Sequence, residues 1–294
     1  MTVFFHLWKW RHPCHSIMKI GTIIRLSDVN QCENQFQRVR DLGLEACQLV
    51  YKPKVYTRED ADRIRATADK VGLEISAQFC GYYDNETIWD LYYGYLTAGL
   101  NVEAFKAERL RYLRAAIDFV SWLGISDMVI HAGFTPNNPF SREYATMLAS
   151  IESLAKRCES LGINILFETG GESPITLLRL IKDVGRDNLY INLDPANILM
   201  YGYGNPVDAV YTFGRYIRNI HGKDGVPPTN PRQLGAEMPV GKGEVDFPAL
   251  FKRLKGLGYN RYIIIERETT GEEQVRDIIL AKEYFEKLMI EFGW

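Results

Sequence analysis

The chain has no apolar run that reaches the roughly 18 to 20 residues a membrane-spanning helix needs, so no membrane partner is expected. It also lacks a basic run. Its 35 Lys and Arg stand against 37 Asp and Glu, a formal charge of -2, which leaves no stripe to neutralise nucleic acid phosphates. Cysteine is scarce: Cys14, Cys32, Cys47, Cys80 and Cys158 are scattered, odd in number and never in a CxxC pair. That pattern argues against a disulfide framework or a structural zinc site and fits reduced thiols in a cytoplasmic protein. Common catalytic signatures are absent too. There is no GxSxG elbow and no HExxH helix, and in segment 235–243 Lys242 is followed by Gly243 where a phosphate loop needs Ser or Thr. The first 17 residues hold Phe4, Phe5, Trp8 and Trp10 but lack the basic start, apolar middle and small-residue cleavage site of a secretory signal. Residues 1–17 therefore read as a poorly ordered N-terminal extension, and residues 18–294 as one folded domain.

What the chain has in quantity is alternation. With 46% hydrophobic and 24% charged residues it has the composition of a globular protein. From Met18 onward, short apolar or β-branched runs alternate with longer amphipathic ones, the behaviour of βα units in a parallel sheet. Strands are expected at 19–26, 45–50, 74–79, 127–132, 164–168, 189–194, 217–221 and 262–266. Helical patterns include 58–71, 107–123, 141–161 and 272–288. Gly43, Gly72, Gly124, Gly162, Gly185 and Gly258 each fall just past a helix and before a strand, where a positive φ ends the helix. Eight such units favour a closed (β/α)8 barrel of α/β class, a TIM barrel, because closure removes both sheet edges. An open nucleotide-binding sheet would show glycines after its first strand, and residues 24–28 have none. Two segments break the rhythm. Segment 82–101 holds Tyr82, Tyr83, Trp89, Tyr92, Tyr93 and Tyr95, suited either to covering a sugar ring or to a subunit contact, and 222–246 is rich in Pro and Gly.

The chemistry sits at the ends of the last four expected strands, which close on Glu168, Asp194, His221 and Glu266. A charged group after three apolar strand residues is costly to bury unless it is paired or bound to a cation. Taken singly, each acid could pair with a neighbour such as Lys223 or Arg267. Taken together, four ends in one arc bring three carboxylates to one imidazole, a set that repels itself without a cation.

The runs Phe167-Glu168-Thr169-Gly170, Asn192-Leu193-Asp194-Pro195-Ala196-Asn197, His221-Gly222-Lys223-Asp224 and Ile265-Glu266-Arg267-Glu268 resemble the sugar phosphate isomerase/epimerase family with the xylose isomerase-like TIM barrel. Gly241-Lys242-Gly243-Glu244-Val245-Asp246-Phe247 also resembles that family, between its His and final Glu strands. The resemblance implies one divalent ion held by Glu168, Asp194, His221 and Glu266. Oxygen ligands with one imidazole suit Mn2+ first, with Mg2+, Co2+ or Zn2+ as alternatives. It further implies a sugar isomerase or epimerase acting on a keto sugar or sugar phosphate through a metal-stabilised enediolate. Glu168 and Glu266 would be the catalytic pair, one removing a carbon-bound proton and the other returning it. Relatives of this kind are often homodimers or homotetramers.

The chain departs from the family's ketohexose 3-epimerases in two places. Asn197 stands where those enzymes carry His, and their substrate-binding Arg after the metal His has no clear counterpart, because Pro227 and Pro228 occupy that region and Arg232 lies further on. Asn197 also weighs against the endonuclease IV branch of the fold, as does the missing Asp-x-His pair near Asp246. Three alternatives stay open: a metal-dependent dehydratase or lyase of a keto-inositol or keto sugar, an abasic-site endonuclease, and a non-catalytic carbohydrate-binding protein. Substrate contacts are expected from His131, Glu172, Asn197 and Lys223. Against this, His131 could be a core histidine and Glu172 a cap for the helix from Ser173. Lys223 and Asp224 could order their loop, while Glu268 reads as turned off the barrel-facing side in an ordinary ion pair.

Overall fold

The computed structural model describes residues 18–26, 28–52, 56–81 and 86–294. Cys14, the aromatics of residues 1–17, Tyr82 and Tyr83 lie outside them. The strands are β1 (Lys19–Ile24), β2 (Ala46–Val50), β3 (Glu74–Cys80), β4 (Asp127–Ile130), β5 (Asn164–Glu168), β6 (Leu189–Leu193), β7 (Ile217–Gly222), β8 (Asp224–Gly225), β9 (Glu237–Met238) and β10 (Tyr262–Ile265). β1 to β7 and β10 form a closed parallel barrel in chain order, with β1 pairing both β2 and β10. β8 and β9 make a short antiparallel ribbon above it. The helices are α1 (Cys32–Asp41), α2 (Arg58–Val71), α3 (Gly94–Thr97), α4 (Glu103–Leu123), α5 (Arg142–Glu159), α6 (Pro174–Val184), α7 (Pro195–Met200), α8 (Pro206–Phe213), α9 (Phe247–Gly256) and α10 (Gly271–Phe292).

The strands read as near-continuous apolar runs because both faces of a parallel barrel are covered. The larger core lies between strands and helices; on α5 it takes Met147, Ile151, Leu154, Ala155 and Cys158, three or four residues apart. A separate small cluster of Val50, Ala77, Phe79, Val129 and Leu166 occupies the β2 to β5 side of the barrel interior. Helix ends follow local chemistry. Thr57 and Asp60 form a reciprocal capping box on α2, and Gly72, Gly124 and Gly185 end α2, α4 and α6 in the left-handed conformation.

All eight expected barrel strands are present, with shifted ends. β4 stops at Ile130, leaving His131 just beyond it. β6 stops at Leu193 because Pro195 starts α7, an unexpected helix whose N-cap is Asp194. The last expected helix is longer than read, running to Phe292.

The end of the barrel opposite the ligand-bearing strand ends is closed by ions. Asp127, 2% exposed, receives Arg218 Nε at 2.9 Å, Arg261 Nη2 at 2.9 Å and Asn164 Nδ2 at 2.7 Å. Asp127→Ala would leave two guanidiniums facing each other. Both are partly exposed, at 23% and 33%, so water screens them and the expected cost is at the low end for a broken buried pair, about 2 kcal/mol. Chemical denaturation checks this: the midpoint should fall at unchanged slope.

Candidate metal centre and its cavity

Inward-facing strand residues recur every second position. Glu168, Asp194, His221 and Glu266 thus stand one layer above Leu166, Asn192, Asn219 and Ile264, at the carboxyl ends of their strands, where TIM barrels place their active sites. One donor atom from each of the four lies within 4.8 Å of every other, and all four residues are buried. His221 Nδ1 is 3.1 Å from Glu266 Oε2, 3.3 Å from Glu168 Oε1 and 3.6 Å from Asp194 Oδ2. The expected set is brought together.

Each ligand is aimed by its neighbours. Asp194 caps α7 with Oδ1, which accepts from Asn197 N at 2.9 Å, and this turns Oδ2 toward the cluster. Thr169 Oγ1 donates to the Asp194 carbonyl at 2.8 Å and ties β5 to β6 there. His221 Nε2 bonds Gln48 Oε1 at 2.9 Å across the barrel. Asn197 Nδ2 donates to Glu168 Oε1 at 3.3 Å, and His131 Nε2 stands 3.0 Å from Glu168 Oε2.

The donor chemistry fits a divalent cation. Glu168 Oε2, Asp194 Oδ2 and His221 Nδ1 are buried and make no hydrogen bond among the described residues, which is costly for polar atoms unless a cation meets them. Three oxygen donors and one imidazole are the mixture that Mn2+, Mg2+ or Zn2+ accepts.

The electrostatics are those of crowded opposite charges. Burial opposes charge on His221, yet Glu266 and Glu168 raise its pKa well above the usual histidine value. Lys223 is raised in the same way by Glu266 and Asp194, against burial. Burial alone would raise Glu266; Lys223 and His221 reverse that and hold it well below the usual carboxylate range. For Asp194 burial prevails and the pKa rises, despite Lys223 and His221.

Lys223 is the pivot of the acid cluster: its Nζ lies 2.6 Å from Glu268 Oε1, 3.3 Å from Glu266 Oε2 and 3.7 Å from Asp194 Oδ2. Separate pairing of each acid is therefore not what is observed. Arg267, the other candidate partner, engages Glu237 and Asp277 instead. Glu268 does not turn away. It lies two positions past Glu266, hence on the same face by a period of two, and lines the cavity beside Lys223.

That cavity, about 250 Å3, is lined by Glu168, Glu266, Lys223, His131 and Asn197, with Phe79, Trp89, Met200, Tyr201 and Leu234 as its apolar wall and Arg25 at its edge. Trp89 packs 4.8 Å from the His131 ring, while Tyr92, Tyr93 and Tyr95 point outward, about half exposed. The buried Arg109 holds their loop through the Thr97 and Gly99 carbonyls. Arg232 stacks 4.5 Å over Tyr92, where it braces the same loop. Glu172 does not line the cavity. It is buried beside Thr135 and the Gly170 backbone, burial pushes its carboxyl up to about 8, and Ser173 rather than Glu172 caps α6. Asp224 is structural: its carboxylate accepts from Gly225, Gly241, Gly243 and Val245 amides. A Cβ on Gly243 would lie 2.2 Å from Asp224 Oδ1, which explains that glycine, while Gly241 takes a left-handed φ of 80°.

Sequence reasoning missed Gln48, Asn192 and Asn219 beneath the ligands. A signal existed: each is a polar residue inside an apolar strand, two of them two positions before a ligand, hence on the same face.

Fold and cluster together define a (β/α)8 barrel with a buried set of residues that could hold a metal ion at the carboxyl ends of its strands. The chain belongs to the xylose isomerase-like TIM barrel family, whose model it matches over residues 36–286. It is similar to the solved structure of a xylose isomerase domain protein from Planctomyces limnophilus, with 31% identity, a TM-score of 0.86, and coverage of 94% of this chain and 99% of that one. A D-tagatose 3-epimerase-like protein shares the fold at 21% identity and a TM-score of 0.72, over 94% and 98% of the two chains. Among curated sequences, an uncharacterized protein of Methanocaldococcus jannaschii, MJ1311, is 26% identical over 200 residues, 62% of this chain and 64% of its own length. The putative L-ribulose-5-phosphate 3-epimerase SgbU of Escherichia coli is 36% identical over 104 residues, 34% of this chain and 36% of its own length. Among the described residues, no helix is long and apolar enough to cross a membrane.

Proposed function

We propose that the protein is a divalent-metal-dependent sugar isomerase or epimerase acting on a keto sugar or its phosphate. The observation that carries this reading is the convergence of Glu168, Asp194, His221 and Glu266, with three buried atoms that make no hydrogen bond among the described residues, beside a cavity that Glu168 and Glu266 line. A divalent ion held by these four, Mn2+ in our reading, would draw electron density from a substrate carbonyl and so acidify the neighbouring C–H bond. Glu168 and Glu266 then move the proton. They stand on β5 and β10, with β6 and β7 between, and so approach the cavity from different sides. That separation supports removal of the proton on one face and return on the other, the requirement for epimerisation. Lys223 keeps Glu266 ionised, and His131 and Asn197 orient Glu168 and offer hydrogen bonds to sugar hydroxyls. Phe79, Trp89 and Leu234 exclude water. We place Glu172 behind this site, not in contact with substrate. The outward tyrosines, with Leu96 at 69% exposure, support a homo-oligomeric contact in a cytoplasmic enzyme.

The test pairs each keto sugar with its phosphate in deuterated water, with Mn2+ present. The expected result is deuterium at the carbon next to the carbonyl and a product of the same composition. Loss of one water would assign a dehydratase instead. No exchange with any pair, in protein shown to hold metal, would refute the reading. A preference for phosphates would point to Arg25, which makes no hydrogen bond or ion pair with a described residue and suits a phosphate's geometry.

A further inference from the structure

Beneath the four ligands the barrel interior is polar where apolar filling would be expected. Gln48 and Asn192 are fully buried and Asn219 is 1% exposed. Gln48 Oε1 faces His221 Nε2 at 2.9 Å, Gln48 Nε2 faces Asn192 Oδ1 at 3.4 Å, and Asn219 Nδ2 donates to the same Asn192 oxygen at 2.6 Å. Asn192 Nδ2 and Asn219 Oδ1 have no hydrogen-bond partner among the described residues. A layer that leaves two buried amide atoms unmatched is a poor choice for stability alone.

Its directionality suggests another purpose. A carbonyl oxygen can only accept, so Gln48 Oε1 requires a proton on His221 Nε2 and leaves Nδ1, in the neutral ring, with its lone pair toward Glu168, Asp194 and Glu266. Flipping the Gln48 amide would put Oε1 against Asn192 Oδ1, two acceptors in contact. Reversing the direction would require Gln48, Asn192 and Asn219 all to flip together. In the arrangement observed, the amide chain sets one tautomer of a histidine three strands away.

We propose that Gln48 is a positioning residue of the metal centre: through its bond to Nε2 it selects the His221 tautomer able to ligate a cation through Nδ1 and holds the ring in the ligating orientation. This rests on the reading that the four residues hold a divalent ion. Partners of this kind typically govern metal affinity by about 10- to 100-fold.

The experiment titrates Mn2+ calorimetrically into the metal-free full-length protein and into Gln48→Met and Gln48→Glu. Methionine keeps the volume and loses the acceptor; glutamate keeps an acceptor oxygen. Gln48→Met should bind Mn2+ about 10- to 100-fold more weakly, while Gln48→Glu should stay within about tenfold of the wild type. With 15N-labelled histidine and Zn2+ as a diamagnetic probe, the wild-type His221 ring should carry its proton on Nε2, with that preference weakened in Gln48→Met. If the wild type binds no Mn2+, the metal reading falls and takes this inference with it. If the wild type and Gln48→Met bind equally well, or both variants weaken equally, the metal reading stands and only the role of Gln48 is overturned.

Discussion

Glu266→Gln is expected to lower the rate of solvent deuterium exchange into substrate by about 10^2- to 10^4-fold, the usual contribution of a positioned acid or base. The substitution is nearly isosteric, so the packing around β10 should survive. What it removes is a buried carboxylate that Lys223 helps hold ionised, the condition for accepting a proton from carbon. Glu168→Gln should lower epimer formation by the same order, since inversion fails when either base is lost, while exchange from one epimer can persist through the base that remains. Because both residues are also proposed ligands, the variants must be assayed at saturating Mn2+, which separates lost proton transfer from lost metal. Glu268→Gln is the control. Glu268 is half exposed, pairs with Lys223 at the cavity wall and stands outside the four-residue cluster, so its effect should be a few-fold. Retention of more than a tenth of wild-type exchange by metal-loaded Glu266→Gln would remove Glu266 from the proton path.

How far the site could be read from the chain depends on whether its parts are local. Glu168, Asp194, His221 and Glu266 were legible because each ends an apolar strand, and a barrel brings such ends together whatever the helices between them do. The Gly241-Lys242-Gly243 run was visible as a motif but not as a cause: only the fold shows three nearby amides and Gly225 N closing on Asp224. α7 was missed although Asp194-Pro195 is a cap followed by a first-turn proline, because a strand pattern ran directly into it. Glu268 was misplaced for another reason: two positions past Glu266, it shares that residue's face under a period of two and was read as turned away. Gln48 and His221 lie 173 residues apart and Asp127 and Arg261 134 apart, and no spacing rule joins such pairs. Strand existence was set by local composition, whereas polar pairing across the barrel was set by closure.

The second large effect expected is a pH-dependent stabilisation by metal. In the metal-free protein His221 has its pKa raised well above that of an unfolded histidine, against burial, by Glu266 and Glu168. The sign follows. Below about pH 6.5 both states are protonated and this contribution is fully present; above it the unfolded state loses its proton first, so the contribution declines as pH rises through the folded pKa. Metal binding runs the other way, since Nδ1 must give up its proton to ligate. Affinity should therefore rise about tenfold per pH unit while the imidazolium persists. Lys223, equally raised, stays charged throughout and opposes the cation at every pH, so it does not alter the trend. With Mn2+ fixed near its dissociation constant at pH 6, an imidazolium that persisted to pH 8 would give about 100-fold in affinity, taking the stabilisation from about 0.4 to about 2.7 kcal/mol, or about 2.3 kcal/mol added. For a chain of this size that is roughly 3 to 5 °C in melting temperature. Calorimetric melts with Mn2+ and with a chelator at the two pH values measure it. The increment should widen from pH 6 to pH 8 and vanish in His221→Ala. A shift that narrows with rising pH, or that survives loss of the imidazole, would place the ion somewhere other than these four side chains.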